Sequence, residues 1–496
     1  MIRLKQRRTV LAAVFAATML ATTGSFAVAG EHSGQKVQSQ VEQRKFLVLD
    51  SRIIESTENA KLSIGKVKKH AANPLFGEDK PWEKRYDNVY ARVLYDEEDQ
   101  LYKCWYMPFI IDNSAKGMTL AQREEKPYRG PDNRDEGICY AFSKDGIHWE
   151  KPELGIVEFL GNSRNNIAVR GPHGSSVFKD LREPDPAKRF KALVIGQTTG
   201  HTELAVAFSA DGVHWSQQIP CPEAGIRWDS ANNALWVPEL GQYVGFTRIS
   251  SETKVTVNGQ KQGVRAVGRI TSKDFVKWTK VEQVFEGLQP DLQIYCMPVF
   301  RYGGVYLGLP VIYHPHEDRS HTELAWSPDT IHWHRVCPGS PLIPQGSERG
   351  DYDWGCVYGA AGPVFLEDEI RLYYGGSDGT HGGWRLGYFC LATLRPDGFA
   401  GYEPQSTNAP AIITTKPATG YFAALDITAD VQVGGSIRVA VVDNQGTELA
   451  RSKPVNGTVT NGKVRWESGW DATATSGKKI ALKFVLENAK LYSFQM

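Results

Sequence analysis

The chain has 496 residues, with 57 Lys and Arg against 56 Asp and Glu, and a formal net charge of +1 at pH 7. Its basic residues are scattered, which excludes the charge pattern of a nucleic-acid or anionic-membrane binder and leaves a neutral or weakly charged ligand as the expected partner. Seven cysteines without any C-x-x-C spacing give no support to a structural zinc site.

In chain order, the first element is an export signal. Arg3, Lys5, Arg7 and Arg8 precede an apolar run at 10–21, and Ala27-Val28-Ala29 stands before Gly30. That order predicts a signal peptide over 1–29, a mature start at Gly30 and a secreted or periplasmic protein; the run is too short to span a bilayer, so no membrane span is expected. A strand-like stretch at 46–55 follows and is read as completing the last blade of a closed ring.

A repeat then dominates the sequence. Ser143, Asp145 and Trp149 share their spacing with Ser209, Asp211 and Trp215, with Ser272, Asp274 and Trp278, and with Ser327, Asp329 and Trp333. Each copy follows a short apolar strand, and the Asp-Gly pair in two of them is tight-turn chemistry, so the motif reads as a strand-turn-strand joint. Upstream of every joint lies a hairpin of aromatic and β-branched residues, and a fifth hairpin leads to the degenerate joint Pro396-Asp397-Gly398-Phe399. Five four-stranded units at this spacing predict an all-β fold, a five-bladed β-propeller over 30–404, whose radial closure avoids long exposed edges. The entry segments Asn73-Pro74-Leu75-Phe76 and Ser340-Pro341-Leu342-Ile343 echo one another, which supports the ring. From 405 the joint stops, and short strands separated by Gly, Asn and Asp turns predict a small C-terminal β-sandwich over 405–496.

In a propeller, residues just before the inner strands gather at one mouth of the central channel. Those positions hold Asp87-Asn88, His173, Arg227-Trp228-Asp229, Asp291, and Asp353-Trp354. Four blades offer a carboxylate and the fifth a histidine. Glycoside hydrolysis needs a protonated acid to assist the leaving oxygen and a carboxylate as nucleophile or base, held among aromatic and polar groups. The catalytic candidates are therefore Asp87, Asp229, Asp291, Asp353 and Glu348. Asn88, His173, Asp180, Arg227, Trp228, Tyr295, Trp354 and His381 are the candidates for holding substrate. The repeated joint aspartates and His148, His214 and His332 are assigned to turns and packing, because catalysis has no need of a residue in every blade. His314, His316 and His321 with Glu317 and Asp318 read as a solvated loop, not a metal site. No cofactor is expected, with a structural calcium in the channel left open.

These features resemble the five-bladed propeller glycoside hydrolases, families 32, 43, 68, 117 and 130, the first of which also carries a C-terminal sandwich. Tyr86-Asp87-Asn88 is similar in place to the family 32 segment W-M-N-D-P-N-G, and the resemblance implies Asp87 as nucleophile. The R-D-P segment has no match at blade two, where Pro172-His173-Gly174-Ser175 stands, and the E-C acid segment is replaced by Trp228-Asp229-Ser230. Since a histidine acid occurs in the superfamily, His173 joins the candidates for proton donor. The resemblance implies a carbohydrate substrate; the alternatives are a propeller that binds carbohydrate without catalysis and a sialidase-like hydrolase.

Overall fold

The computed structural model describes residues 45–197, 202–226, 231–257, 260–419, 424–467, 475 and 477–496. The signal peptide expected over 1–29 lies outside them, as do Arg227, Trp228 and Asp229. Residues 43–496 group as one compact unit.

Five blades radiate from a channel, each antiparallel within itself, with one parallel pair, Ser320 to Cys356, joining blade four to blade five. Blade one runs from its inner strand Arg85–Asp96 through Leu101–Ile111 and Asp135–Ser143 to the edge pieces Trp149–Glu150 and Ile167–Arg170. Blade two is His173–Lys179, Phe190–Gln197, Thr202–Ser209 and Ile219–Pro220, and blade three Asn233–Val237, Gln242–Val257, Gln260–Ser272 and Glu282–Glu286. Blade four comprises Val299–Tyr302, Val305–Gly308, Leu324–Ser327 and His334–Val336, with a second tier at Gln293–Cys296, Val311–His314 and Arg319–Thr322. Blade five has Cys356–Gly359 and Val364–Phe365 inside, then Ile370–Ser377 and Gly387–Leu394.

The outer strand of blade five comes from the other end of the chain. Lys68–Lys69 and Phe76–Gly77 pair with Gly387–Leu394 and close the ring. The stretch at 46–55, expected in that role, instead joins the C-terminal sheet: Lys45–Leu47 pairs with the final strand Lys479–Gln495, and Ile54–Glu58 with Ala411–Thr415. Its apolar residues made 46–55 legible as a strand, but a strand pattern names no partner. The echo between 73–76 and 340–343 has a physical meaning here. Leu75 N–H donates to Phe389 O and Leu342 N–H to Thr322 O, so each segment edges the preceding blade before the chain crosses inward.

The C-terminal region is one hydrogen-bonded sheet folded on two long strands, Asp426–Asp443 and Lys479–Gln495. Register shifts at Thr428/Ala429 and Val431/Ser436 break the pairing between them, and the sheet wraps a core that includes Ile413, Ile427, Val439, Phe484 and Phe494. Bulges of this kind bend a strand and let one strand serve both halves of a sandwich.

The joints staple adjacent blades. In each copy the serine Oγ and aspartate Oδ1 bond, and the same Oδ1 accepts from the N–H groups two and three residues on, as Asp211 does from Val213 and His214 at 2.8 Å each. The fourth motif position is left-handed every time: Gly146 (φ 74°), Gly212 (80°), Phe275 (64°) and Thr330 (70°). At Gly146, Gly212 and Thr330 its polar atoms meet the blade before. Tyr373 O–H donates to Gly146 O at 2.8 Å, Trp105 Nε1 to Gly212 O at 2.6 Å, and Arg269 Nε to Thr330 Oγ1 at 3.0 Å. At the degenerate joint, buried Asp397 accepts from Tyr302 O–H, from Lys45 Nζ at 2.7 Å and from Ser493 Oγ at 2.6 Å, tying the ring to the C-terminal sheet.

Candidate functional site

The inner strand of blade one starts irregularly. Asn88, Val89 and Tyr90 are all left-handed, with φ of 55°, 62° and 38°, and the register with the next strand shifts on both sides of Val89. Such a run is costly for residues with a Cβ, above all for β-branched valine. It is held by packing: Val89 is buried, and a Cβ on Gly375 of blade five would lie 2.4 Å from Asn88 O. The break in the pleat lets neighbouring Asp87 and Asn88 belong to one bonded cluster, which strict alternation would forbid.

Asp87 Oδ2 lies 3.0 Å from His173 Nε2, at the start of blade two, and His173 Nδ1 contacts Glu136 Oε2, at the start of the third strand of blade one. The imidazole therefore bridges two carboxylates. It stacks on Phe109 (centroids 6.1 Å, 28°) and meets Tyr90 edge-on. Burial of Asp87 opposes its ionisation, but the His173 and Arg385 charges prevail and its carboxyl is pulled down to about 2. Asp87 is thus an anion across the whole working range of an enzyme.

Arg385 reaches in from blade five, with Nη2 3.0 Å from Asn88 Oδ1 and 3.8 Å from Asp87 Oδ1. Asn88 Nδ2 donates to Tyr90 Oη at 2.9 Å. His381 lies 3.4 Å from both Tyr295 Oη and Tyr358 Oη, and burial with the nearby Arg385 charge holds its imidazole well below the ordinary histidine value, so it is neutral. Burial likewise raises the Tyr90 and Tyr358 phenols far above their ordinary value, leaving them as hydroxyl donors. Arg248 and Arg265 lie over the Tyr295 ring at 4.7 and 5.3 Å. The segment at 112–134 connects with blade five near this cluster: Tyr128 lies under Arg85 at 4.1 Å, and Trp384 Nε1 donates to Lys126 O at 2.8 Å.

Of the residues singled out from the sequence, Asp87, Asn88, His173, Tyr295 and His381 come together. The others serve elsewhere. Asp353 is buried against Lys69 Nζ (2.6 Å) and Tyr374 Oη (2.8 Å), locking the entry of blade five to the closing strand. Asp291 and Glu348 are exposed on turns. Trp354 lies beneath Arg319 at 4.3 Å. Asp180 follows the inner strand of blade two and accepts from Tyr243 O–H at 2.6 Å, at the opposite end of that strand from His173. The expected ring of four carboxylates is therefore reduced, among the described residues, to Asp87, because an inner-strand entry can turn its side chain into a blade as easily as into the channel.

Glu136, Arg385, Tyr90 and Tyr358 were missed. A usable signal existed for two of them. In an antiparallel blade the first and third strands run the same way, so residues opening the third strand reach the same mouth; Glu136 opens that strand in blade one, and Arg385 precedes it in blade five. Among the described residues no group of three or more His, Cys, Asp or Glu side chains is arranged to hold a metal ion.

No protein-family model matches the chain, and no curated protein does. Several solved structures are similar to it. One, from work on the GH130 family of mannoside phosphorylases and its glycoside hydrolases that target β-1,2-mannosidic linkages in Candida mannan, has 15% identity and a TM-score of 0.43, over 67% of this chain and 95% of that one. A glycosyl hydrolase from Bacteroides ovatus has 15% identity and a TM-score of 0.44 over the same shares. An N-acetylgalactosamine deacetylase from F. plautii, in complex with blood group B trisaccharide, has 14% identity and a TM-score of 0.43 over 68% of this chain and 96% of that one.

Proposed function

We propose that the chain is an exported glycoside hydrolase acting on a poly- or oligosaccharide at the channel mouth marked by Asp87. The observation that carries this is the contact chain Asp87, His173, Glu136. Asp87, held as an anion, is the nucleophile or the base that takes a proton from water. Of the side chains considered as proton donor, His173 is the described one in contact with Asp87. His173 Nε2, 3.0 Å from Asp87 Oδ2, is the nitrogen placed to pass a proton to the leaving oxygen as the glycosidic C–O bond breaks. Glu136 positions the ring through Nδ1, as a carboxylate does for histidine in other catalytic sites. Tyr90, Tyr295 and Tyr358 supply the apolar faces and hydroxyls that suit a sugar ring.

The test is a screen of the purified protein against plant and algal oligosaccharides, followed by Asp87→Asn. This variant keeps shape and removes charge, so turnover should fall by orders of magnitude while the fold and sugar binding persist. Undiminished turnover would remove Asp87 from the mechanism. A protein that binds sugars through this mouth and cleaves none would be the non-catalytic propeller.

A further inference from the structure

The two ends of the inner strands lead to different places. His173 opens the inner strand of blade two at the site above; Asp180 follows its other end, roughly 20 Å away at about 3.3 Å per residue. There, all five blades line an open pocket of about 410 Å³, a size typical of small-molecule sites. Its wall includes Arg92 of blade one, Arg182 of blade two, Trp236 of blade three, Arg301 of blade four and Phe365 of blade five.

Three cations of the lining are already neutralised. Lys179 Nζ meets Asp96 at 2.7 Å and Glu98 at 2.8 Å, Arg182 meets Asp180 at 3.1 Å, and Arg301 meets Glu239 at 3.0 Å. Arg92 differs. Among the described residues no carboxylate pairs with it, and its Nε is buried without a hydrogen-bond partner. Burial alone pulls its guanidinium down to about 10. Leaving a cation so placed is costly unless an anion meets it. Its seat is built: Gly362 is left-handed (φ 80°), and a Cβ there would lie 2.1 Å from Arg92 Nη1. Phe178, Trp236, Phe300 and Phe365 give the wall its aromatic faces among aliphatic residues, and the Arg182 guanidinium lies 3.4 Å over the Trp236 ring.

We propose that this pocket is a second ligand site, which takes a monosaccharide-sized acid with its carboxylate on Arg92 and its ring against Trp236 and Phe365. The site is independent of hydrolysis at the Asp87 mouth.

Titration calorimetry of the whole protein with D-glucuronate, its methyl ester, D-glucose and sulfate tests it. Glucuronate should bind saturably, and the ester and glucose at least tenfold more weakly, which removes the charge from the ligand without touching the fold. Arg92→Met should weaken glucuronate at least tenfold, and Asp87→Asn should leave it unchanged. The proposal is overturned by absence of saturable binding, by equal affinity for the ester, by sulfate binding as tightly as glucuronate, or by a loss seen in Asp87→Asn and not in Arg92→Met.

Discussion

Gly212 meets two demands at one position. The turn of blade two needs φ of +80° there, and a Cβ would lie 2.6 Å from Trp105 Cζ2 of blade one. Alanine at this site strains the backbone and pushes on a fully buried indole that donates to Gly212 O. Gly212→Ala should therefore lower the unfolding free energy by about 2 kcal/mol, read by urea denaturation; a change within 0.5 kcal/mol, roughly the surface-mutation range, would remove the joint from the inter-blade contact. The same logic explains why the motif was readable from sequence. An Asp two residues after a Ser and four before a Trp describes one local turn, whose Ser and Asp side-chain hydrogen bonds lie within the motif. Asp87 was legible for a different reason: it sits at an inner-strand entry. Its partner Glu136 was legible only as the opening of a third strand, since nothing local to residue 136 announces a histidine 37 positions away.

At the scale of elements, the join between blades one and five carries a titratable group. Glu78 Oε1 accepts from Tyr86 N–H at 2.8 Å and from Gly387 N–H at 2.9 Å, while Oε2 is buried without a partner. Burial outweighs these hydrogen bonds and the nearby arginines and raises its carboxyl from 4.5 to about 7. A folded-state value above the unfolded one means that this group's contribution to stability is complete below about pH 4.5 and is lost as pH rises through about 7. Relative to Glu78→Gln, the wild type should lose on the order of 2 kcal/mol between about pH 5 and about pH 8. Denaturation midpoints of the two proteins that run parallel over that range would contradict the role. Ring closure belongs to the same scale. Residues 68–77 close blade five and 46–55 do not, although 46–55 is the more strand-like in sequence, because the choice depends on which open edge lies within reach once the blades have formed.

For the whole molecule, seven cysteines in an all-β chain raise the question of bridges. All seven are free; six are buried and Cys337 is half-buried, its Sγ 3.2 Å from Leu62 O. Burial pushes the Cys221 and Cys296 thiols up to about 12, which leaves them unreactive. Intact mass after alkylation should show at most one modification on the native protein and seven under denaturant without reductant. Labelling that rises only when reductant is added would reveal disulfides.

By itself the sequence determined the class of fold, the arrangement of the blades, the joints and one carboxylate of the bonded cluster at the channel mouth, because each is written in short-range periodicity, turn chemistry or position relative to a strand. Only the tertiary structure decided which segment closes the ring, how the C-terminal sheet shares its long strands, that Asp353 serves a buried ion pair, and that His173 joins Asp87 to Glu136. These are pairings between residues far apart in the chain, and they are chosen by geometry that exists only after the blades have packed.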